Sequence, residues 1–138
     1  MRDLPRQLTV EELAELFSAH TRLVELLAER EDPLGAARGV IAELPVEDRA
    51  AALAAHPRIG EPSPEQRGED AAVLAELAYL NQVYEEKFGF RFVVFVNRRS
   101  RAELLPVLRE RLARSREQEL DTGLDQLVAI AEDRWRRR

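Results

Sequence analysis

The chain has no cysteine. That absence excludes a disulfide framework, a thiolate nucleophile and any zinc or iron–sulfur site built on sulfur. Its two histidines, His20 and His56, are too few for a His-rich metal centre. Lysine occurs once, at Lys87, so arginine carries nearly all the positive charge. No apolar run approaches the roughly 18 residues of a membrane-crossing helix, and the opening Met1-Arg2-Asp3-Leu4-Pro5 lacks the apolar stretch of a secretory signal. A net charge of −5 argues against general nucleic-acid binding. These absences together predict a cytoplasmic protein with neither nucleic acid nor membrane as partner.

What remains favours helices. The 138 residues fit one domain spanning 1–138, long enough to hide about two-thirds of the unfolded surface without covalent staples. Alanine and leucine are abundant, and 45% hydrophobic against 34% charged residues is a helix-rich composition. Helix punctuation recurs along the chain. Thr9-x-x-Glu12 is a capping box ahead of the stripe Leu13, Leu16 and Phe17. A second short helix carries Leu23, Leu26 and Leu27, and Asp32-Pro33 supplies N-cap and N1 of a third, through Leu44. After Pro45 an Ala-rich helix runs to His56, where Pro57 forbids continuation. Ser63-Pro64-Glu65-Gln66 opens a long helix with the stripe Val73, Leu74, Leu77, Leu80, Asn81, Tyr84 and Phe88, stopped by Gly89. Ser100-x-x-Glu103 and Ser115-x-x-Gln118 open two more; Pro106 should kink the first or delay its start.

One run departs from this pattern. Phe90-Arg91-Phe92-Val93-Val94-Phe95-Val96 has strand composition, yet nothing else in the chain offers it a partner. The expected fold is therefore an all-α, single-domain bundle with one buried extended segment at about 90–96 and no β-sheet. The backbone groups of that segment need partners, and a ligand is one candidate.

Two residues stand out for chemistry. His56 titrates near neutrality and lies at a helix end, with Glu65 and Gln66 nine and ten residues on, within reach across a short loop. The spacing alone equally fits a helix-terminal histidine and a first-turn glutamate complementing its own helix. Arg134 extends the stripe Leu120, Leu124, Leu127 and Ala131 on the last helix, so its guanidinium either snorkels to water or anchors a planar oxygen pair. Seven arginines between Arg98 and Arg116 read as a solvated helix face, or else as a docking face for an acidic partner.

Taken in order, His56-Pro57-Arg58-Ile59-Gly60, Glu65-Gln66, Leu80-Asn81 with Tyr84, Phe88-Gly89-Phe90-x-Phe92-Val93-Val94 and Ile130-Ala131-x-x-Arg134 resemble the 2-oxo-4-hydroxy-4-carboxy-5-ureidoimidazoline (OHCU) decarboxylase family. The resemblance covers roughly residues 8 to 136 and is most specific in its centre. It implies a helical bundle, commonly a homodimer, acting on a small-molecule ureidoimidazoline without metal or organic cofactor, as a carboxy-lyase that completes uric acid oxidation to (S)-allantoin. By that resemblance His56 and Glu65 are catalytic. Pro57, Gln66, the segment Phe92, Val93, Val94, Phe95 and Val96, and Arg134 contact substrate. The family's serine before the Glu-Gln pair is Pro62 here, with Ser63 adjacent as the substrate-binding candidate. The loop from His56 to Glu65 is shorter than the family's usual one.

Overall fold

The structure is a computed structural model that describes residues 7–57 and 71–137. Seven helices occupy them: α1 (Val10–Phe17), α2 (Arg22–Leu27), α3 (Pro33–Glu43), α4 (Val46–Ala54), α5 (Ala71–Phe88), α6 (Arg101–Leu112) and α7 (Arg116–Arg136). No strand occurs among the described residues, as the sequence leads one to expect. The helix starts are chemically explicit. Thr9, Ser100 and Ser115 each accept from the backbone N–H three residues on, and the side chain of Glu12, Glu103 or Gln118 accepts the cap residue's own N–H in return. Asp32 accepts from the Gly35 N–H with Pro33 in the first turn. Gly89, at φ +83°, ends α5 in the left-handed region where a side chain would be strained. The expected start of that helix at Ser63 to Gln66 lies outside the described residues.

The last helix is the hub. α7 packs against α1, α3 and α4 through Leu120, Leu124, Leu127, Val128 and Ala131, while α5 pairs with α6. At Gly123 the approach of α4 is so close that an added Cβ would fall 2.8 Å from Leu53 Cδ1. That contact lies one turn before His56, so it sets the height at which α4 ends beside α7.

Residues 91–96 run extended, with Phe92, Val93 and Val94 buried, whereas Val96 is 40% exposed; the buried stretch is thus shorter than expected. Side chains take the place of a neighbouring strand. Arg111 Nη1 donates to the Val93 carbonyl at 2.7 Å, the Phe95 N–H donates to Gln126 Oε1 at 2.9 Å, and Arg99 Nη2 donates to the Phe95 carbonyl at 2.7 Å. An aromatic cluster holds the entry to the segment. Tyr84 meets Phe88 and Phe92 at centroid distances of 4.6 and 5.4 Å, and the Arg111 guanidinium lies 4.6 Å from the Phe92 centroid.

Two expectations fail here. The arginines between Arg98 and Arg116 are not simply a solvated face, because Arg101 and Arg111 are buried. Arg111 turns inward because a buried carboxylate awaits it. Glu119, fully buried, accepts from Arg111 Nε at 2.7 Å, from the Tyr84 hydroxyl at 2.7 Å and from Arg114 Nη1 at 2.9 Å. With these side chains facing the core, α6 does not present a continuous basic face. The other is the delayed start, one of the two effects expected of Pro106. The helix starts at Arg101, as its capping box dictates, and the exposed proline lies within it, leaving the Ala102 carbonyl without its usual helical donor.

Removing the Glu119 charge strands Arg111 in the interior. Glu119→Gln should therefore cost about 3–5 kcal/mol, and Tyr84→Phe about 1–2 kcal/mol, both read by denaturant unfolding. Replacing both ions together, as Arg111→Met with Glu119→Leu, should recover most of the Glu119→Gln loss. A double variant as unstable as the single one would contradict this account of the cluster.

Candidate active site

α4 ends at Ala54, and the next turn delivers His56, whose N–H still donates to the Leu53 carbonyl at 3.1 Å. Pro57 then stops the helical pattern. The imidazole Nδ1 lies 3.0 Å from the Pro57 carbonyl oxygen. A carbonyl only accepts, so Nδ1 carries the proton and Nε2 carries the lone pair. That Nε2 is buried and has no hydrogen-bond partner among the described residues. Burying an imidazole nitrogen without a partner is costly, so such an atom in a native fold calls for an explanation.

Electrostatics keep this ring neutral. Burial, the largest effect, holds the His56 pKa below its ordinary value near 6.5; the Pro57 carbonyl pulls the other way, and the charges of Arg134 and Arg91 lower it further. A helix C-terminus ordinarily favours imidazolium. Here burial and two guanidiniums outweigh it, and His56 presents an unoccupied base at neutral pH.

Arg134 reaches the same neighbourhood from the end of α7. It is half-buried, and burial lowers its pKa while Asp133 opposes; it remains a cation. The two roles left open by its register omit what the structure shows first. Its Nη1 donates to the Leu16 carbonyl at 2.9 Å and to Ser18 Oγ at 2.6 Å, so one arm closes the C-terminal end of α1. Ser18, at φ 68°, is the left-handed cap that turns its hydroxyl to this task. Among the described residues Nε and Nη2 make no hydrogen bond.

The structure thus brings His56 and Arg134 within electrostatic reach of each other. Phe92, Val93, Val94, Phe95 and Val96 connect to them through Arg91, whose Nη1 donates to the His56 carbonyl at 2.7 Å. In the segment itself the Val93 and Phe95 carbonyls and the Phe95 N–H are engaged by side chains, whereas no described residue engages the Val94 amide N–H or carbonyl. Pro57 is described and exposed beside the histidine. Glu65, Gln66 and Ser63 lie outside the described residues, so their placement adds nothing here. Arg91 and Ser18 were missed by sequence reasoning. Neither belongs to a periodic stripe or a motif, and each acts through a partner distant in sequence.

Residues 2–136 match the family model described as OHCU decarboxylase. The fold aligns with the crystal structure of an OHCU decarboxylase determined in the presence of (S)-allantoin, at a TM-score of 0.78 and 26% identity over 91% of this chain and 96% of that one. An (S)-allantoin synthase shares the fold at a TM-score of 0.72 and 22% identity, over 91% of this chain and 48% of that one. In sequence the chain is 33% identical over 104 residues to the uric acid degradation bifunctional protein TTL of Arabidopsis thaliana, covering 63% of this chain and 32% of that protein. The chain therefore spans about a third of the length of that curated relative. With a match running from residue 2 to residue 136, the chain belongs to the OHCU decarboxylase family.

Proposed function

We propose that this protein catalyses the decarboxylation of 2-oxo-4-hydroxy-4-carboxy-5-ureidoimidazoline to (S)-allantoin, without a cofactor, as part of uric acid degradation. The observation that carries the reading is the buried Nε2 of a neutral His56, without a partner among the described residues and within the electrostatic reach of two guanidiniums. That is an environment for an anionic substrate bearing an acidic hydroxyl. Family membership supplies the reaction class.

The substrate's own chemistry explains why so few groups suffice. Its carboxylate and hydroxyl share one carbon, and the neighbouring carbon is an imine. When CO2 leaves, the electron pair of the broken C–C bond moves into the C=N, and the imine nitrogen takes up one proton from solvent. The resulting enamine-like intermediate becomes product when the hydroxyl loses its proton and the adjacent carbon gains one. His56 Nε2 is assigned both transfers, accepting the hydroxyl proton and returning a proton to one face of that carbon. A positioned acid–base group of this kind typically contributes about 10²–10⁴ in rate. Arg134 grips the carboxylate or ring-oxygen side through its free nitrogens. Val94, with Phe92, Val93, Phe95 and Val96 framing it, offers amide groups to the ring. Glu65 takes the ureido or hydroxyl donors of the substrate, Gln66 bonds its ring amides, and Pro57 and Ser63 complete the wall.

We assign the protein, with its family, to a cytoplasmic homodimer. No helix among the described residues is long and apolar enough to cross a membrane.

Three outcomes test the assignment, with freshly generated substrate and (S)-allantoin excess followed by circular dichroism. His56→Asn should abolish the stereochemical excess while unfolding within about 1 kcal/mol of wild type, since the ring's Nε2 holds no partner to lose. Unchanged stereoselectivity in that variant refutes the assignment.

The pH profile has a fixed sign. A lowered imidazole pKa leaves the free base intact above its ordinary value, so kcat/KM should be level near neutrality. It should fall on the acid side with a midpoint below 6.5, and that limb should vanish with His56. Stability follows the same direction. The unfolded chain binds the proton first, so the contribution of His56 is complete above 6.5 and is lost as pH drops through the lowered value.

Arg134→Met should lose about 2–4 kcal/mol of transition-state stabilisation. It should also lose about 1–2 kcal/mol of fold stability with the bonds to Leu16 and Ser18. Arg134→Lys should restore stability better than rate, because a point charge lacks the planar fork. Arg136→Met and Arg137→Met serve as controls and should match wild-type rates.

A further inference from the structure

Arg91 is half-buried at the start of the extended segment, flanked by Phe90 and Phe92, which both point into the core. A charged side chain between two core aromatics has to leave by the opposite face, and this one leaves towards α4. Its Nη1 donates to the His56 carbonyl at 2.7 Å, joining residues 35 apart in sequence. That carbonyl belongs to the turn after α4, past the last helical hydrogen bonds, and is one of the acceptors a helix end leaves over. The bond therefore satisfies an orphan carbonyl and fixes the peptide that carries the imidazole.

Resting on the functional reading above, we propose that Arg91 is a positioning residue for His56, clamping the histidine's own carbonyl to the extended segment so that imidazole and segment amides keep one spacing. The geometry is economical. The segment is held from one side by Arg111, Gln126 and Arg99. α4 is held against α7 by the Leu53–Gly123 contact. Among the hydrogen bonds of the described residues, that of Arg91 alone joins these two supports at the site. A substrate bridging Nε2 and the Val94 amide depends on that spacing, and displacements near 1 Å cost on the order of 100-fold in rate.

The same guanidinium also biases the ring. Among the described residues, the charges acting on His56 are Arg134 from α7 and Arg91 from the segment, both opposing protonation; Asp133 acts on Arg134 instead. A strut without electrostatic influence would leave the titration of His56 unmoved, which separates the two roles.

The test uses the whole protein and needs no substrate for its first arm. With only two histidines, the ring proton resonances of His56 and the exposed His20 are individually resolvable. In Arg91→Met the His56 titration midpoint should move up relative to wild type while that of His20 stays. In Arg91→Lys the midpoint should return towards wild type, the charge being kept. In the second arm, kcat for Arg91→Met should fall about 10- to 100-fold with little change in KM, and circular dichroism should report an intact helical fold. An unmoved midpoint, or a moved one with unchanged kcat, overturns the proposal. If wild type does not turn over the ureidoimidazoline, the reaction assignment fails. The titration arm then decides whether Arg91 governs the imidazole.

Discussion

Glu119 is the point on which the rest of the structure rests. It is a carboxylate with no access to solvent, placed at the start of α7, and three donors from three parts of the chain converge on it. A buried charge left alone is prohibitively costly, so the fold is obliged to bring Tyr84 of α5, Arg111 of α6 and Arg114 of the α6–α7 turn to it. Arg111 then has a free arm, which reaches the Val93 carbonyl. The conformation of the extended segment thus follows from the neutralisation of one acid. The edge-on contacts of Phe90 and Phe92 with Tyr84 supply burial, but ring contacts alone do not set a register along an extended chain; a directional hydrogen bond does.

Most of the fold was legible because its signals are local. Thr9/Glu12, Ser100/Glu103 and Ser115/Gln118 are reciprocal caps readable at a spacing of three, and each starts a helix where expected. The strand-like run without a partner was legible by elimination. Pro106 does not delay the helix because the cap at Ser100, six residues before it, outweighs a single missing hydrogen bond on an exposed face. The buried arginines were misread rather than illegible. Arg101 and Arg111 lie three residues before Leu104 and three after Leu108, on the buried face of α6, and what holds Arg111 there is Glu119, which the sequence offers only as one more acid in a first helical turn. At the site, His56 and Arg134 were readable from Pro57 and from the α7 stripe. The Arg91 and Ser18 contacts join positions 35 and 116 apart, where no periodicity reports.

On the proposed function, the site divides labour between a ring that has to be uncharged and cations that have to be near it. Burial alone would neutralise His56, but it would also repel an anion. Placing Arg134 and Arg91 close to the ring achieves neutrality and attraction together. Arg134 keeps its position because one of its arms is occupied by the end of α1, so its free nitrogens are held rather than left to wander.

The support beneath the extended segment is almost entirely guanidinium: Arg111, Arg99 and, at its approach, Arg116, which donates to the Phe88 carbonyl at 2.9 Å. Arginine does not release its proton under any condition a cell meets. A framework of lysine or histidine would soften as the medium changed, and the spacing of its amides would drift with it. Here the frame is indifferent to acidity across the physiological range. Of the two histidines His56 is the one beside this frame, His20 being exposed. A change in pH then alters what that ring does without altering the donors that hold the segment.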